Sequence, residues 1–347
     1  MKKRSPFKLG AYEVDAGTRA TIDLPVSVMS DHTPVALSVE VIHGKRPGPT
    51  MFVSAAIHGD EIIGVEIVRR LLRTQSLKRL QGTLLAIPIV NSFGFMNHSR
   101  YLPDRRDLNR TFPGSARGSL AARLANLFMT EIVERSDVGI DLHSAAIHRT
   151  NLPQIRFSSG RDQALKLAKI FGAPFMMASS VREGSLRHAA AQREVDVLLL
   201  EAGEGLRFDE FGVRVGVSGI LRVMHHMGMI PSKGVTTPKS PSVFSTRSTW
   251  VRAPAGGLLR IFKSTGEEVE AGDILGIISD PFGEMETEIK VEASGLIIGR
   301  INLPVVNEGD ALFHIAELAK EENAEDAIGR LSSQLDGDPL FDEDEII

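Results

Sequence analysis

Apolar and polar positions fall into three regimes along the chain. In residues 1–48 they alternate. Thr21-Ile-Asp-Leu-Pro-Val-Ser-Val and Val35-Ala-Leu-Ser-Val-Glu-Val-Ile place apolar side chains at every second position, which predicts half-buried strands and an N-terminal β lead-in. In residues 49–230 continuous apolar runs take turns with segments of helical spacing. Strands are expected at 50–57, 83–90, 138–142, 154–157 and 195–201, and helices at 61–74, 119–134, 162–171, 185–192 and 208–227. The first helix shows the spacing well, with Ile62, Val65, Val68, Leu71 and Leu72 on one face. This alternation predicts an α/β sheet with helices on its faces.

Residues 231–246 carry Pro231, Pro238, Pro241 and many Ser and Thr, and read as a linker. The third regime, 247–318, consists of short β runs punctuated by glycine, such as Ala253-Pro-Ala-Gly-Gly-Leu and Ala293-Ser-Gly-Leu-Ile-Ile. Its two Gly-Leu turns stand at comparable places in two halves, as in a pseudo-duplicated β barrel. After Lys320 come ten acidic residues and one basic residue, Arg330, so 319–347 reads as a solvated acidic tail or a dock for a basic partner.

Composition narrows the chemistry. A chain of 347 residues, 42% hydrophobic and 24% charged, has the balance of an ordinary globular protein with a large core. A net charge of −4 gives no general basic surface, so no nucleic-acid partner is expected. There is no cysteine, which leaves His, Asp and Glu as the ligand types for a metal. The basic start, Met1-Lys-Lys-Arg, is not followed by an apolar stretch. Together with the lack of a long apolar run, this predicts a cytoplasmic protein without a membrane partner.

Two apolar runs end in candidate ligands. Met51-Phe-Val-Ser-Ala-Ala-Ile leads into His58-Gly-Asp-Glu61, and Val138-Gly-Ile-Asp-Leu leads into His143. Two imidazoles and one carboxylate at strand ends suit a catalytic zinc, because three protein ligands leave a fourth position for water. The carboxyl ends of strands are also where open α/β sheets place their sites. A second His-x-x-Glu, His314 to Glu317, reads as coincidence in a C-terminal strand. Asp141 shares the strand face of His143 and is either a partner of that histidine or a plain strand-end residue. His148 reads as a rim residue. Glu201 ends the run Val195-Asp-Val-Leu-Leu-Leu and is either a general base, with Glu204 as its rival, or a surface Glu capping the strand end. The long stretch from Asn91 to Gly114 carries Arg100, Arg105, Arg106 and Arg110, either to fork an anionic substrate or to pair with Asp104 and Asp107.

Taken together, His58-Gly-Asp-Glu61, Asn91, Arg100, Asp107-Leu-Asn109-Arg110-x-Phe-Pro-Gly114, Asp141-Leu-His143 and Leu200-Glu201-Ala-Gly203 resemble the succinylglutamate desuccinylase/aspartoacylase family over roughly residues 49–230. The resemblance implies a zinc-carboxypeptidase-like mixed sheet with helices on both faces. It implies one Zn2+ per chain on His58, Glu61 and His143, with Glu201 as the base and Arg100 as the stabiliser of developing negative charge. Asn109 and Arg110 would hold a substrate carboxylate. The insertion around Pro103, Arg105 and Arg106 leaves the acyl preference open. Residues 247–318 resemble a biotinyl/lipoyl-type barrel-sandwich domain, but Glu284 stands at the carrier-lysine position, so no biotinylation or lipoylation is expected. The unit would then be structural, a lid, or a contact within a homo-oligomer.

The expected activity is zinc-dependent cleavage of the amide bond in a small anionic N-acyl amino acid. The alternatives are a metallocarboxypeptidase acting on short or acidic peptides, a binding or regulatory protein that kept a metal site, and a site holding iron instead of zinc.

Overall fold

A computed structural model of the protein describes residues 4–318 and 323–338. Its main feature is a 13-stranded mixed sheet. Four parallel strands form the centre, in the order Gln81–Ile87, Arg46–Ala55, Val138–His143, Asp196–Gly203. Helices cover both faces of these strands, which is why they read as continuous apolar runs instead of alternating ones. Every residue of Val138–His143 is buried.

One face carries the helices Ile63–Arg73, Asp162–Phe171 and Glu210–His226, packed around Ile67, Phe171 and Ile220. Leu120–Glu131 and Leu186–Ala191 cover the other face, around Phe52, Leu124 and Phe128. Gly64 sets how closely the first helix can sit. A Cβ there would lie 2.7 Å from the Cβ atoms of both Ala55 and Leu142, so the helix rests directly on two site-bearing strands. Helix starts fall one residue after the expected positions at Ser119 and Ser185 because those side chains are N-caps, accepting from the backbone N–H groups of Ala122 and His188.

The expected N-terminal lead-in is present as a long antiparallel pair, Thr18–Val28 with Pro34–His43, which continues the sheet beyond Gln81–Ile87. On the other side Arg149–Ser158 runs antiparallel to Asp196–Gly203. The outer edge of this strand forks. Residues 149–151 pair with Gly295–Ile301, while 154–158 pair with Phe175–Ser179. Beyond the fork come Ala311–Ala316 and then Ser248–Arg252.

The C-terminal β unit therefore extends the large sheet. A second, four-stranded sheet, in the order Glu286–Lys290, Ile274–Ser279, Gly257–Ile261, Val305–Val306, completes a sandwich around Leu259, Ile278, Ile297 and Phe313.

Two sequence expectations need correction. Residues 231–246 are not a free linker, since Val243–Ser245 adds a parallel strand to Phe175–Ser179 and Val243 is buried. The acidic stretch is not simply a solvated tail. It contains the helix Ala324–Asp336, with Leu331 and Leu335 in the main core and Asp338 accepting from Thr236 Oγ1. Burial of those leucines outweighs the solvation preference of the surrounding acids. Residues 319–322 and 339–347 lie outside the described residues. Among the described residues no helix is long and apolar enough to cross a membrane.

Candidate metal and active site

Three parallel strands deliver the site. His58 and Glu61 follow Arg46–Ala55 in the turn before the first helix, and His143 is the last residue of its strand. Glu201 is the register partner of His143 on the adjacent parallel strand, so the two side chains leave the same face of neighbouring strands.

His58, Glu61 and His143 are all buried, and one potential ligand atom from each lies within 4.8 Å of the others. No other group of this kind stands out among the described residues. The two Nδ1 atoms face the two oxygens of Glu61, at 2.6 Å for His58 and 2.7 Å for His143. Both remaining ring nitrogens meet a carboxylate. His143 Nε2 lies 2.7 Å from Asp141 and His58 Nε2 lies 3.2 Å from Asp107. This fits a metal centre. A carboxylate on Nε2 holds the proton there and leaves the Nδ1 lone pair for the ion. Two imidazoles and one carboxylate match the usual donor set of catalytic zinc.

The electrostatics agree. Burial disfavours a charged imidazole, yet Asp141 and Glu61 hold His143 well above its ordinary pKa. Burial likewise opposes charge on His58, and Glu61 and Asp107 reverse it. Burial alone would raise Glu61 and Asp107. The facing imidazoles hold Glu61 well below the usual carboxylate range, and His58 with Arg100 does the same for Asp107. The surroundings thus favour positive charge between the rings.

Asp107 does a second job. Its Oδ2 accepts from Arg100 Nη2 at 2.9 Å, which anchors the guanidinium and leaves Nη1 at 3.2 Å from both Glu61 and His58 Nδ1. The residues of the 91–114 stretch take different places. Asn91 caps the short helix Ser92–Met96 and is not part of the cavity lining. Asp104 pairs with Arg106, which like Arg105 lies away from the site. Arg100, Asn109 and Arg110 line the cavity. Asn109 Oδ1 accepts from Leu186 N–H at 2.9 Å, which ties this loop to the helix across the pocket.

The cavity is about 550 Å³, within the range of small-molecule sites. Glu201 lines it. Glu204 instead clamps the rim, accepting from the His148 N–H and from Asn302 Nδ2. His148 is exposed beside that clamp.

Sequence reading missed much of the lining. Arg149, Arg156, Arg182, Arg187 and Arg300 join Arg100 and Arg110 around the cavity. Arg187 donates to Ser179 Oγ at 3.0 Å; burial, and then neighbouring Arg156, push its pKa down to about 10, which leaves it cationic at neutral pH. His314, read from sequence as coincidence, stands in the wall with its ring stacked on Trp250, centroids 4.4 Å apart, and with the Arg149 guanidinium 5.2 Å from the Trp250 ring. Burial, and then Arg156, push His314 down to about 3, so it is neutral. Arg149, Arg156, Trp250, Arg300 and His314 meet only through strand pairing. The one local hint was the run of polar and basic residues in Arg149-Thr-Asn151 and at Arg156, at odds with a buried strand.

Comparison with known proteins places the chain. Residues 47–227 match the succinylglutamate desuccinylase/aspartoacylase catalytic domain, described as AstE_AspA_cat. The chain is 26% identical over 325 residues to an N-alpha-acetyl-L-2,4-diaminobutyric acid deacetylase of Halomonas elongata, covering 89% of this chain and 94% of that protein. Among solved structures, a succinylglutamate desuccinylase/aspartoacylase from Rhodobacter sphaeroides superposes with a TM-score of 0.76 at 26% identity, over 87% of this chain and 96% of that one. A succinylglutamate desuccinylase from Silicibacter sp. TM1040 gives a TM-score of 0.80 at 23% identity, over 91% and 100%.

Proposed function

This chain belongs to the succinylglutamate desuccinylase/aspartoacylase family, and from that premise we propose that it is a zinc-dependent amidohydrolase that removes the acyl group from a carboxylate-bearing N-acyl amino acid. One observation carries the proposal: the buried His58–Glu61–His143 group, with each imidazole braced by its own carboxylate and Glu201 in register beside His143. The similarity to a deacetylase of an N-acetylated amino acid supports the same bond type.

Zinc held by these three residues supplies a Lewis acid for the scissile carbonyl and lowers the pKa of a water toward 7. The protein supplies the rest. Glu201 takes a proton from the attacking water and returns it to the amide nitrogen, so the C–N bond breaks as the amine becomes neutral and able to leave. The oxygen of that water ends in the released carboxylate. Arg100, fixed by Asp107, presents Nη1 to the carbonyl oxygen where negative charge grows. Arg110 and Asn109 receive a substrate carboxylate at the loop side, with Asn109 locked in place through Leu186 N–H. The further arginines of the lining favour an anionic substrate over one carrying an additional amine. The wall formed by Ser248, Trp250, Arg300 and His314 supports a small substrate over a long peptide.

The test pairs metal analysis with amine release. Purified protein and His143→Ala are assayed for zinc content, and for free amine from N-acetyl and N-succinyl derivatives of aspartate, glutamate, diaminobutyrate and leucine. About one zinc per chain, lost in the variant, with hydrolysis of an acidic derivative, is the expected result. A wild-type protein that takes up no zinc and hydrolyses none of these would sink the proposal.

A further inference from the structure

The position of Glu201 is set from two sides. Its Oε1 lies 3.9 Å from Arg156 Nη1, and its Oε2 accepts from Asn151 Nδ2 at 3.1 Å. Asn151 lies on Arg149–Ser158, where that strand forks. On one side Asn151 is the register partner of Gly203, two residues after Glu201, and on the other side it pairs with Gly299 of the C-terminal β unit. Gly299 has no positive φ, so the backbone does not demand glycine there. A side chain there would instead push the Asn151 amide aside. A Cβ on Gly299 would stand 2.7 Å from Asn151 Oδ1, the far end of the amide whose other end holds Glu201. A second link runs in parallel, since Gln154, the register partner of Glu201, donates to the carbonyl of Ile298 at 3.1 Å.

We infer that Asn151 is the positioning residue that aims Glu201 across the cavity, and that Gly299 of the C-terminal β unit keeps the Asn151 amide in the orientation that does so. The inference rests on Glu201 being the general base. It gives the C-terminal unit a part in the catalytic step in addition to walling the cavity. With Oε2 held by Asn151, Oε1 stays 3.9 Å from Arg156 Nη1, beyond hydrogen-bond distance, and so remains available for the attacking water. Without the tether, Arg156 is the nearest competing charge.

The experiment is a double-mutant cycle on the zinc-loaded full-length enzyme, using whichever N-acyl amino acid the screen above identifies. Asn151→Ala is expected to lower kcat about tenfold with little change in KM or zinc content, since orienting the base is one part of an effect typically worth 10²–10⁴-fold. Gly299→Ala should lower kcat by a similar factor, but should add nothing in the Asn151→Ala background, because it acts through the same amide. Asn151→Asp, of the same shape but unable to donate, should lose at least as much kcat as Asn151→Ala, because it sets a carboxylate against Glu201. Glu201→Gln is run alongside. If it retains turnover, the base assignment fails and the inference falls with it. If Glu201→Gln abolishes turnover while Asn151→Ala leaves kcat unchanged, the inference alone is overturned. Fully additive losses from Asn151→Ala and Gly299→Ala would likewise refute the link through the amide. Should Gly299→Ala fail to fold, Asn151→Ala and Asn151→Asp still decide the positioning role: kcat unchanged in both would overturn it.

Discussion

Asp141→Asn tests whether the site is built for a metal. Asp141 is 1% exposed, and each of its oxygens meets one short donor: Ser54 Oγ at 2.8 Å on Oδ1 and His143 Nε2 at 2.7 Å on Oδ2. An amide of the same shape offers one oxygen and one NH2. If the oxygen stays with Ser54, the NH2 faces His143 Nε2. That nitrogen must then accept, its proton moves to Nδ1, and the atom aimed at Glu61 is no longer free for a metal. If the amide flips, Ser54 accepts from the NH2 and His143 keeps its tautomer, losing only the negative charge of its partner. Water cannot stand in for the lost interaction at this depth. The two arrangements bracket the effect. Loss of such partners typically costs 10- to 100-fold in metal affinity, or about 1.4–2.7 kcal/mol, with the flipped amide at the low end. The assay is competition for zinc against a chromophoric chelator at pH 7.5, with thermal unfolding of the metal-free proteins as a check on folding. Zinc affinity within about twofold of wild type, in a folded variant, would refute the argument that Asp141 sets the tautomer of a ligand.

Glu201→Gln should keep zinc and lose at least about 100-fold in kcat, the low end for a general base; turnover near wild type in a steady-state assay would remove it from that role. Arg187→Met should lower kcat/KM for an acidic substrate by about 10- to 100-fold, the worth of a hydrogen bond to a charged group, while sparing zinc content; equal activity on acidic and neutral substrates in the variant would confirm its charge preference. Leu335→Ala, fully buried against the main core, should destabilise the fold by about 2–4 kcal/mol in urea unfolding; an unchanged midpoint would mean the C-terminal helix does not contribute to the core. His314 carries a folded-state pKa of about 3 against an ordinary value near 6.5. Between these values the unfolded chain binds the extra proton, so stability rises with pH through that window by up to about 1.4 kcal/mol per unit and is lost on acidification. His314→Gln should flatten the acid limb of stability between pH 4 and 6, as read by denaturant titration at stepped pH; an unaltered limb would remove His314 as its cause.

The parts of this molecule that were legible in sequence are those whose signal is local. Buried parallel strands announce themselves as apolar runs, and His58, Glu61 and His143 stand where such runs stop. Arg149, Asn151 and Arg156 were not legible as site residues, because their strand pairs antiparallel with a strand some fifty residues later and its polar positions gain meaning only from that register. Trp250, Arg300 and His314 reach the cavity through pairings that span still longer separations. Helix Ala324–Asp336 is a different case. Ala324, Ile328, Leu331 and Leu335 repeat at spacings of four, three and four, a readable apolar stripe, but the acidic content of the segment outweighed it. Sequence left Glu201 and Glu204 as rivals, since both stand at the end of the same apolar run. The fold turns Glu201 toward the cavity and Glu204 toward the His148 loop.

The forked strand has a consequence for solubility. A sheet of 13 strands assembled from three stretches of sequence needs a way to stop, because an open strand edge invites another chain to pair with it. Here the outer edge of Arg149–Ser158 is closed by two different neighbours, so neither half of it is left as a template. The two strands at the ends of the main path of the sheet are irregular. Thr18–Val28 carries Pro25 and a register shift between Pro25 and Ser27, and Ser248–Arg252 shifts between Val251 and Arg252. The C-terminal β unit thus works as an end-stop. Cutting it away at the fork would leave a half-exposed edge beside an arginine-lined opening, and the shortened protein would be prone to self-association through that edge.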